Sequence, residues 1–165
     1  MKLLGSVEKL NKFEKIYIIL FFGSLAIGII NGTINKEYFT CCEDAIGVPE
    51  EGTSALKIFR SNFLLSLTEL FTAGLSSFYY NFHTFSVTSS YLISQNALYN
   101  IPIILLIGSF ELVGSIFMAL TGISFIERTI FKIKSNLDYR TLFLYGTTLI
   151  FVGAVIEYML LTLVI

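Results

Sequence analysis

Long uninterrupted apolar runs, rather than alternating ones, dominate this chain. The clearest is IPIILLIGSFELVGSIFMALTGISF, residues 101 to 125, in which the one formal charge is Glu111. A helix of that length crosses a hydrocarbon core of roughly 30 Å. A first apolar run covers residues 16–30 and a last one residues 141–165. Between Ile58 and Ile126 the only formal charges are Arg60, Glu69 and Glu111. That reach is too long for two spans joined by a polar loop, so three are expected, over 58–79, 82–98 and 102–125. Hinges then fall at Tyr80-Asn81 and Tyr99-Asn100, and Pro102 suits a first helical turn. Only helices and closed barrels satisfy their backbone in lipid, and barrel strands would alternate at period two. The pattern predicts an all-α, polytopic membrane helix bundle of about five transmembrane helices, a single membrane domain over residues 1–165.

The polar stretches set the orientation. In residues 1–15, Leu3, Leu4, Val7 and Leu10 share one helical face while Lys2, Lys9 and Lys12 lie largely off it. That pattern fits a short interfacial helix whose lysines reach headgroups. Residues 31–57 form an acidic loop carrying Cys41 and Cys42, the only cysteines. Adjacent cysteines seldom bond each other, because the ring would be strained, so free thiols or an intermolecular disulfide are the open alternatives. Residues 126–140 hold Arg128, Lys132, Lys134 and Arg140. The positive-inside rule places both basic segments in the cytoplasm and the acidic loop outside. Five spans satisfy that arrangement and four do not. The expected location is the cell membrane, multi-pass, with the N-terminus cytoplasmic and the C-terminus outside.

Composition narrows the function. The chain of 165 residues is 55% hydrophobic and 14% charged, against about 25% charged for a soluble domain. With no tryptophan, interfacial anchoring falls to Tyr, Lys and Arg. The first apolar block is long and no A-x-A-like site follows it, so no cleavable signal is expected. A formal net charge of -1 gives no pull toward nucleic acid, and the expected surroundings are the lipid bilayer. A homo-oligomer or other membrane or envelope proteins are the expected partner classes. His83 is the sole histidine, which is too little to hold a catalytic zinc. Gly108-Ser109 and Gly114-Ser115 have a Gly-Ser context, but small residues in membrane helices commonly serve packing. Neither a metal, nor a cofactor, nor enzymatic activity is expected.

The candidate functional residues are the acids set deep in apolar runs: Glu69, Glu111 and Glu157. No Lys or Arg sits at comparable depth, so each needs a polar partner or a proton. Asn62, Tyr145, Thr147, Thr148 and the hydroxyls of residues 82–98 are available. Residues 82–98 carry so many hydroxyls and amides that they are expected either inside the bundle or as a re-entrant segment. The acids either hold helices together or carry protons or ions, and both readings remain open here. In the first span, Ser24 and Gly28 have the small-xxx-small spacing of a close helix contact.

GSFELVGSIFMALTGISF resembles the signature helix of the stage II sporulation protein M family, whose members read Pro-His-Gly-x-x-Glu and continue with small residues. Gly108 and Glu111 occupy the Gly and Glu positions, and Ile107 stands where the family has His. AVIEYM is similar, through Ile156 and Glu157, to an Ile-Glu pair in the family's final helix. Asn62 and Asn81 fall where the family has an Asn opening the second helix and an Asn-Gly after it, with Phe82 in place of that Gly. The resemblance covers roughly residues 58 to 165, and Glu69 has no counterpart in it. It implies a five-helix, non-enzymatic integral membrane scaffold or partner-binding protein. In spore formers the family gathers peptidoglycan-degrading proteins, while relatives elsewhere, archaea included, have unassigned roles. The alternative is a small oligomeric transporter or channel using the intramembrane glutamates.

With the N-terminus cytoplasmic, a membrane-impermeant maleimide should label Cys41 and Cys42 in intact cells. Labelling seen only after permeabilisation would reverse the orientation.

Overall fold

A computed structural model describes residues 10–35, 54–94, 96, 98–133 and 137–164. These residues form five α-helices and no strand: α1 (Lys12–Ile34), α2 (Ala55–Phe71), α3 (Leu75–Ser94), α4 (Ile101–Thr129) and α5 (Tyr139–Val164). The described residues are all-helical, as the pattern predicts. By length and composition, α1, α4 and the Tyr139–Leu160 part of α5 are long and apolar enough to cross a membrane. With 17 residues, α2 is about 26 Å long. The loop with Cys41 and Cys42, and residues 1–9 of the expected interfacial helix, lie outside the described residues. Residues 12–15 belong to the first turn of α1.

Local chemistry starts the helices. Asn11 caps α1 by accepting the Glu14 N–H at 3.0 Å, and Glu14 Oε2 accepts the Asn11 N–H at 2.8 Å. This reciprocal box satisfies two otherwise free donors. The Asn11 amide also donates to both carboxylate oxygens of Glu127, at 2.8 and 2.7 Å. The start of α1 is thereby tied to the end of α4. Ser54 caps α2, and α4 opens with a proline in its first turn. Ahead of α5, Asp138 accepts from the Thr141 hydroxyl and the Arg140 N–H. Those bonds hold its carboxyl below the usual range.

The second break differs from the expected one. Tyr80 and Asn81 lie inside α3, and the chain turns instead at Thr72–Gly74. Ala73 (φ 48°) and Gly74 (φ 81°) take left-handed backbone there, and the Gly74 N–H reaches back to the Glu69 carbonyl at 2.7 Å. A glycine just past a helix end supplies that conformation without strain. Gly74 has a second constraint, because a Cβ there would stand 2.3 Å from the Tyr17 ring. The third helix thus begins earlier than residue 82 and runs unbroken to Ser94.

Specific contacts fix the helix directions. Tyr17 meets Ser77 and Gly32 meets Ser86, so α1 and α3 run parallel. Asn62 meets Glu111 and Leu70 meets Gly122, so α2 and α4 run parallel. Gly146 meets Gly114 and Gly153 meets Glu111, so α5 runs antiparallel to α4. The Asn11–Glu127 bond places the start of α1 beside the end of α4. Successive helices therefore alternate between a near end, where α1 starts, and a far end.

Two pairs carry the packing, α1 with α3 and α4 with α5, and α2 lies against both helices of the second pair. Near the near end, Tyr17, Phe21, Ala119, Leu120 and Ile123 form the core. Every residue of α4 from Met118 to Ser124 is buried, whereas its first half, up to Val113, is partly or fully exposed. The helices pack around this core toward the near end and splay at the far end.

Close backbone approach holds these layers together. A Cβ on Gly32 would stand 2.0 Å from the Ser86 carbonyl oxygen, and one on Gly122 would stand 2.1 Å from that of Leu70. Gly122→Ala should therefore cost about 1–3 kcal/mol by forcing α2 and α4 apart. Gly23 has nothing within 4 Å of its would-be Cβ, so Gly23→Ala should be neutral or gain up to about 1 kcal/mol. Thermal melts of the two variants in detergent should differ clearly, and matching melts would contradict the close α2–α4 contact.

Candidate functional site

The splayed end encloses a cavity of about 490 Å³ between the α1–α3 pair and the α2–α4 contact. Its walls are mostly apolar, from Leu25 and Ile29 of α1, Leu65 of α2, Phe85 of α3 and Ile104 to Leu112 of α4. Five of the seven sequence-predicted residues line it: Asn62, Glu69, Asn81, Gly108 and Glu111. Helical spacing explains the grouping. Asn62 and Glu69 are seven apart on α2, and Gly108, Glu111 and Ser115 are three and four apart on α4, so each set shares a face.

Glu69 sits 5% exposed near the cavity floor. Its carboxylate accepts from the Ser115 hydroxyl of α4 and lies within hydrogen-bonding reach of Ser77 of α3. Ser77 in turn accepts from the Tyr17 hydroxyl at 3.2 Å. A polar chain thus runs from α1 through α3 and α2 to α4. An acid held this way ties four helices at the boundary between the sealed core and the cavity.

Glu111 is less enclosed. The Asn62 amide of α2 donates to one of its carboxylate oxygens, and its stem packs over Gly153 of α5, whose Cβ would stand 3.1 Å from Glu111 Cγ. Glu157, four residues beyond Gly153, lies near enough to act on Glu111 electrostatically. Glu157 is not part of the cavity lining, and the bond that Glu111 accepts comes from Asn62. Antiparallel packing of α4 and α5 brings the two acids into one region, with Gly153 packed against the Glu111 stem.

Asn81 is 6% exposed on the α3 wall, and its Nδ2 is a buried donor with no hydrogen-bond partner among the described residues. Gly108 has nothing within 4 Å of its would-be Cβ, so it widens the cavity instead of permitting a helix contact. His83 is exposed on the bundle surface and stacks on Tyr79 at 6.0 Å between ring centroids. It takes no part in the cavity.

The hydroxyls of α3 divide by face. Ser77, Ser86 and Ser90 are fully buried, and Ser86 donates to the Gly28 carbonyl at 3.1 Å and accepts from the Asn31 amide at 3.1 Å. Thr84 and Thr88 line the cavity. The close α1 contact involves Gly28 and Gly32, and Ser24 only donates to the Phe21 carbonyl of its own helix. Tyr145 and Thr148 are exposed on α5. Sequence reasoning missed Ser115, Ser77 and Tyr17. Ser115, four residues after Glu111, was open to discovery from helical spacing, whereas Ser77 and Tyr17 meet Glu69 only through the unexpected turn at Gly74.

Among the described residues, no group of three or more His, Cys, Asp or Glu side chains is placed to hold a metal ion. The chain matches no protein-family model, no curated protein and no solved structure. Its chemistry is therefore read from the cavity: two carboxyls and a free amide donor in a largely apolar enclosure.

Glu111→Gln should keep the fold, since an amide can still accept from Asn62. Glu111→Leu should cost about 1 kcal/mol or more, because it leaves the Asn62 amide without its acceptor. Repeating the melts on an Asn62→Leu background should shrink the Leu penalty, as expected for two groups that act through one bond. An unchanged penalty would show that Asn62 is not the partner that matters.

Proposed function

We propose that this chain is a five-span membrane protein of the cell envelope that takes a small ligand into its intramembrane cavity, in the manner of a small transporter. The observation that carries this reading is the cavity itself, which gathers Glu69, Glu111, Asn62 and Asn81 from three helices. A scaffold needs no such space. Alternation of helix direction supports α2 and α3 as spans alongside α1, α4 and α5. A re-entrant third segment would reverse direction within itself, and α3 does not. Lys12, Lys15, Arg128, Lys132 and Arg140 gather at the near end, which the positive-inside rule assigns to the cytoplasm. The cavity then opens toward the outside and is closed from the cytoplasm by the Tyr17–Phe21 core. Such one-sided closure is the form of a carrier at rest, with Glu69 at the seal and Glu111 in the chamber.

A second reading is favoured by the hydrogen bonds. Both Glu69 and Glu111 accept bonds across the α2–α4 interface, as they would in a scaffold or partner-binding protein like the sporulation family that the sequence resembles. In that case the acids serve cohesion alone and the cavity stays filled by lipid tails.

Water access separates the two. With Cys41 and Cys42 replaced by serine, single cysteines at Thr84 and Thr88 should react with a charged thiol reagent added from outside. Protection of both positions from either side would remove the transporter reading and leave the scaffold.

A further inference from the structure

We infer that the cavity is selective for an amphipathic organic amine, its charge met by Glu111 and a neighbouring hydrogen-bond acceptor met by Asn81. This inference rests on the cavity being the working site. Among the described residues no Lys, Arg or His lines the cavity, while Glu69 and Glu111 do, so a cation is the charge that the walls complement. The two acids differ in what they have left to offer. Glu69 is enclosed and engaged by Ser115 and Ser77. Glu111 is half-buried and accepts from Asn62 through one oxygen, which leaves the other for an ammonium group.

Asn81 is the independent sign of a ligand. It lines the cavity from α3, as Glu111 does from α4, and its buried Nδ2 has no acceptor among the described residues. Buried amide donors are nearly always paired, so an orphan in a cavity wall points to an acceptor brought by a guest. Size and lining define the guest's body. A chamber of about 490 Å³ falls within the roughly 300–1,000 Å³ of organic ligand sites. A metal ion would leave most of that space as water against Leu, Ile and Phe. An apolar body fills it, with the ammonium toward Glu111 and a hydroxyl, ether or carbonyl toward Asn81.

Three probes of similar bulk separate these contributions on the purified full chain in neutral detergent. Propranolol carries an apolar ring, an isopropylamine and a hydroxyl; its diol analogue, carried as the isopropyl ether, has oxygen in place of the amine nitrogen; tetraphenylphosphonium has charge but no acceptor. Calorimetry should show saturable propranolol binding, with the diol weaker by about tenfold or more, the equivalent of one lost charge contact. Glu111→Gln should weaken both cations by a similar factor. Asn81→Leu should weaken propranolol and leave tetraphenylphosphonium unchanged, with Asn81→Ala as the substitute if the leucine variant melts early. Equal affinity for amine and diol, or a folded Glu111→Gln that binds as the parent does, overturns the inference. If Thr84 and Thr88 positions react with the thiol reagent but no amine binds, the cavity reading stands and the amine is wrong. If they neither react nor bind, both fall.

Discussion

Where the Leu70 carbonyl of α2 presses against Gly122 of α4, two helix backbones meet with no side chain between them. In the bilayer of the proposed reading, a short helix carrying Asn62, Ser66 and Glu69 would have too many polar groups to face hydrocarbon on all sides. Pressed against α4, it turns Glu69 to Ser115 and Asn62 to Glu111. Each bond removes a polar group from an apolar environment at both ends, and each needs the helices at that distance. The contact with α4, the two acid bonds and the far-end cavity therefore depend on one another. A bulkier residue at Gly122 would loosen all of them together.

The same contact explains the asymmetry along the bundle. Below Glu69 the helices are cinched by aromatic packing of Tyr17, Phe21 and Phe78 and by the Asn11–Glu127 bonds. Taken over whole helices, the α1–α3 pair touches α2 and α4 only lightly, so little besides that core holds the two halves together. A bundle built as one tight pair, one tight triple and a light seam has a natural line of opening. In the proposed reading, that seam is the route to Glu111, and the Tyr17–Ser77–Glu69–Ser115 chain is what would have to rearrange for the near end to open.

How far the chain could be read without its fold differs from feature to feature. Unbroken apolar runs and the absence of period-two alternation were enough for an all-helical chain, because hydrocarbon-length patterning reflects composition and spacing alone. Glu69 and Glu111 stand out in the sequence as acids within apolar runs and Asn62 as a polar partner for them, whereas Gly108 enters only through the family resemblance. The interruption at Gly74 follows the rule that glycine closes helices, while the hinge expected at Tyr80-Asn81 lies inside α3, because a turn signal is local and the place of the turn is decided by packing. The Tyr17 ring over Gly74 makes that choice.

Only the tertiary structure decided which acids meet which partners. Glu69, Glu111 and Glu157 are equivalent in sequence, each a carboxyl within an apolar run. Parallel α2 and α4 give Glu69 to Ser115 and Glu111 to Asn62, while the antiparallel α4–α5 contact leaves Glu157 behind Gly153 and outside the cavity. His83, singled out because it is unique, faces outward, and Asn81, two residues earlier, faces in. One helical residue turns the chain by about 100°, so two residues separate inside from outside. Sequence determines which residues share a helix face. Which face turns inward is set by the neighbours that pack against it, and those come from parts of the chain up to 116 residues apart.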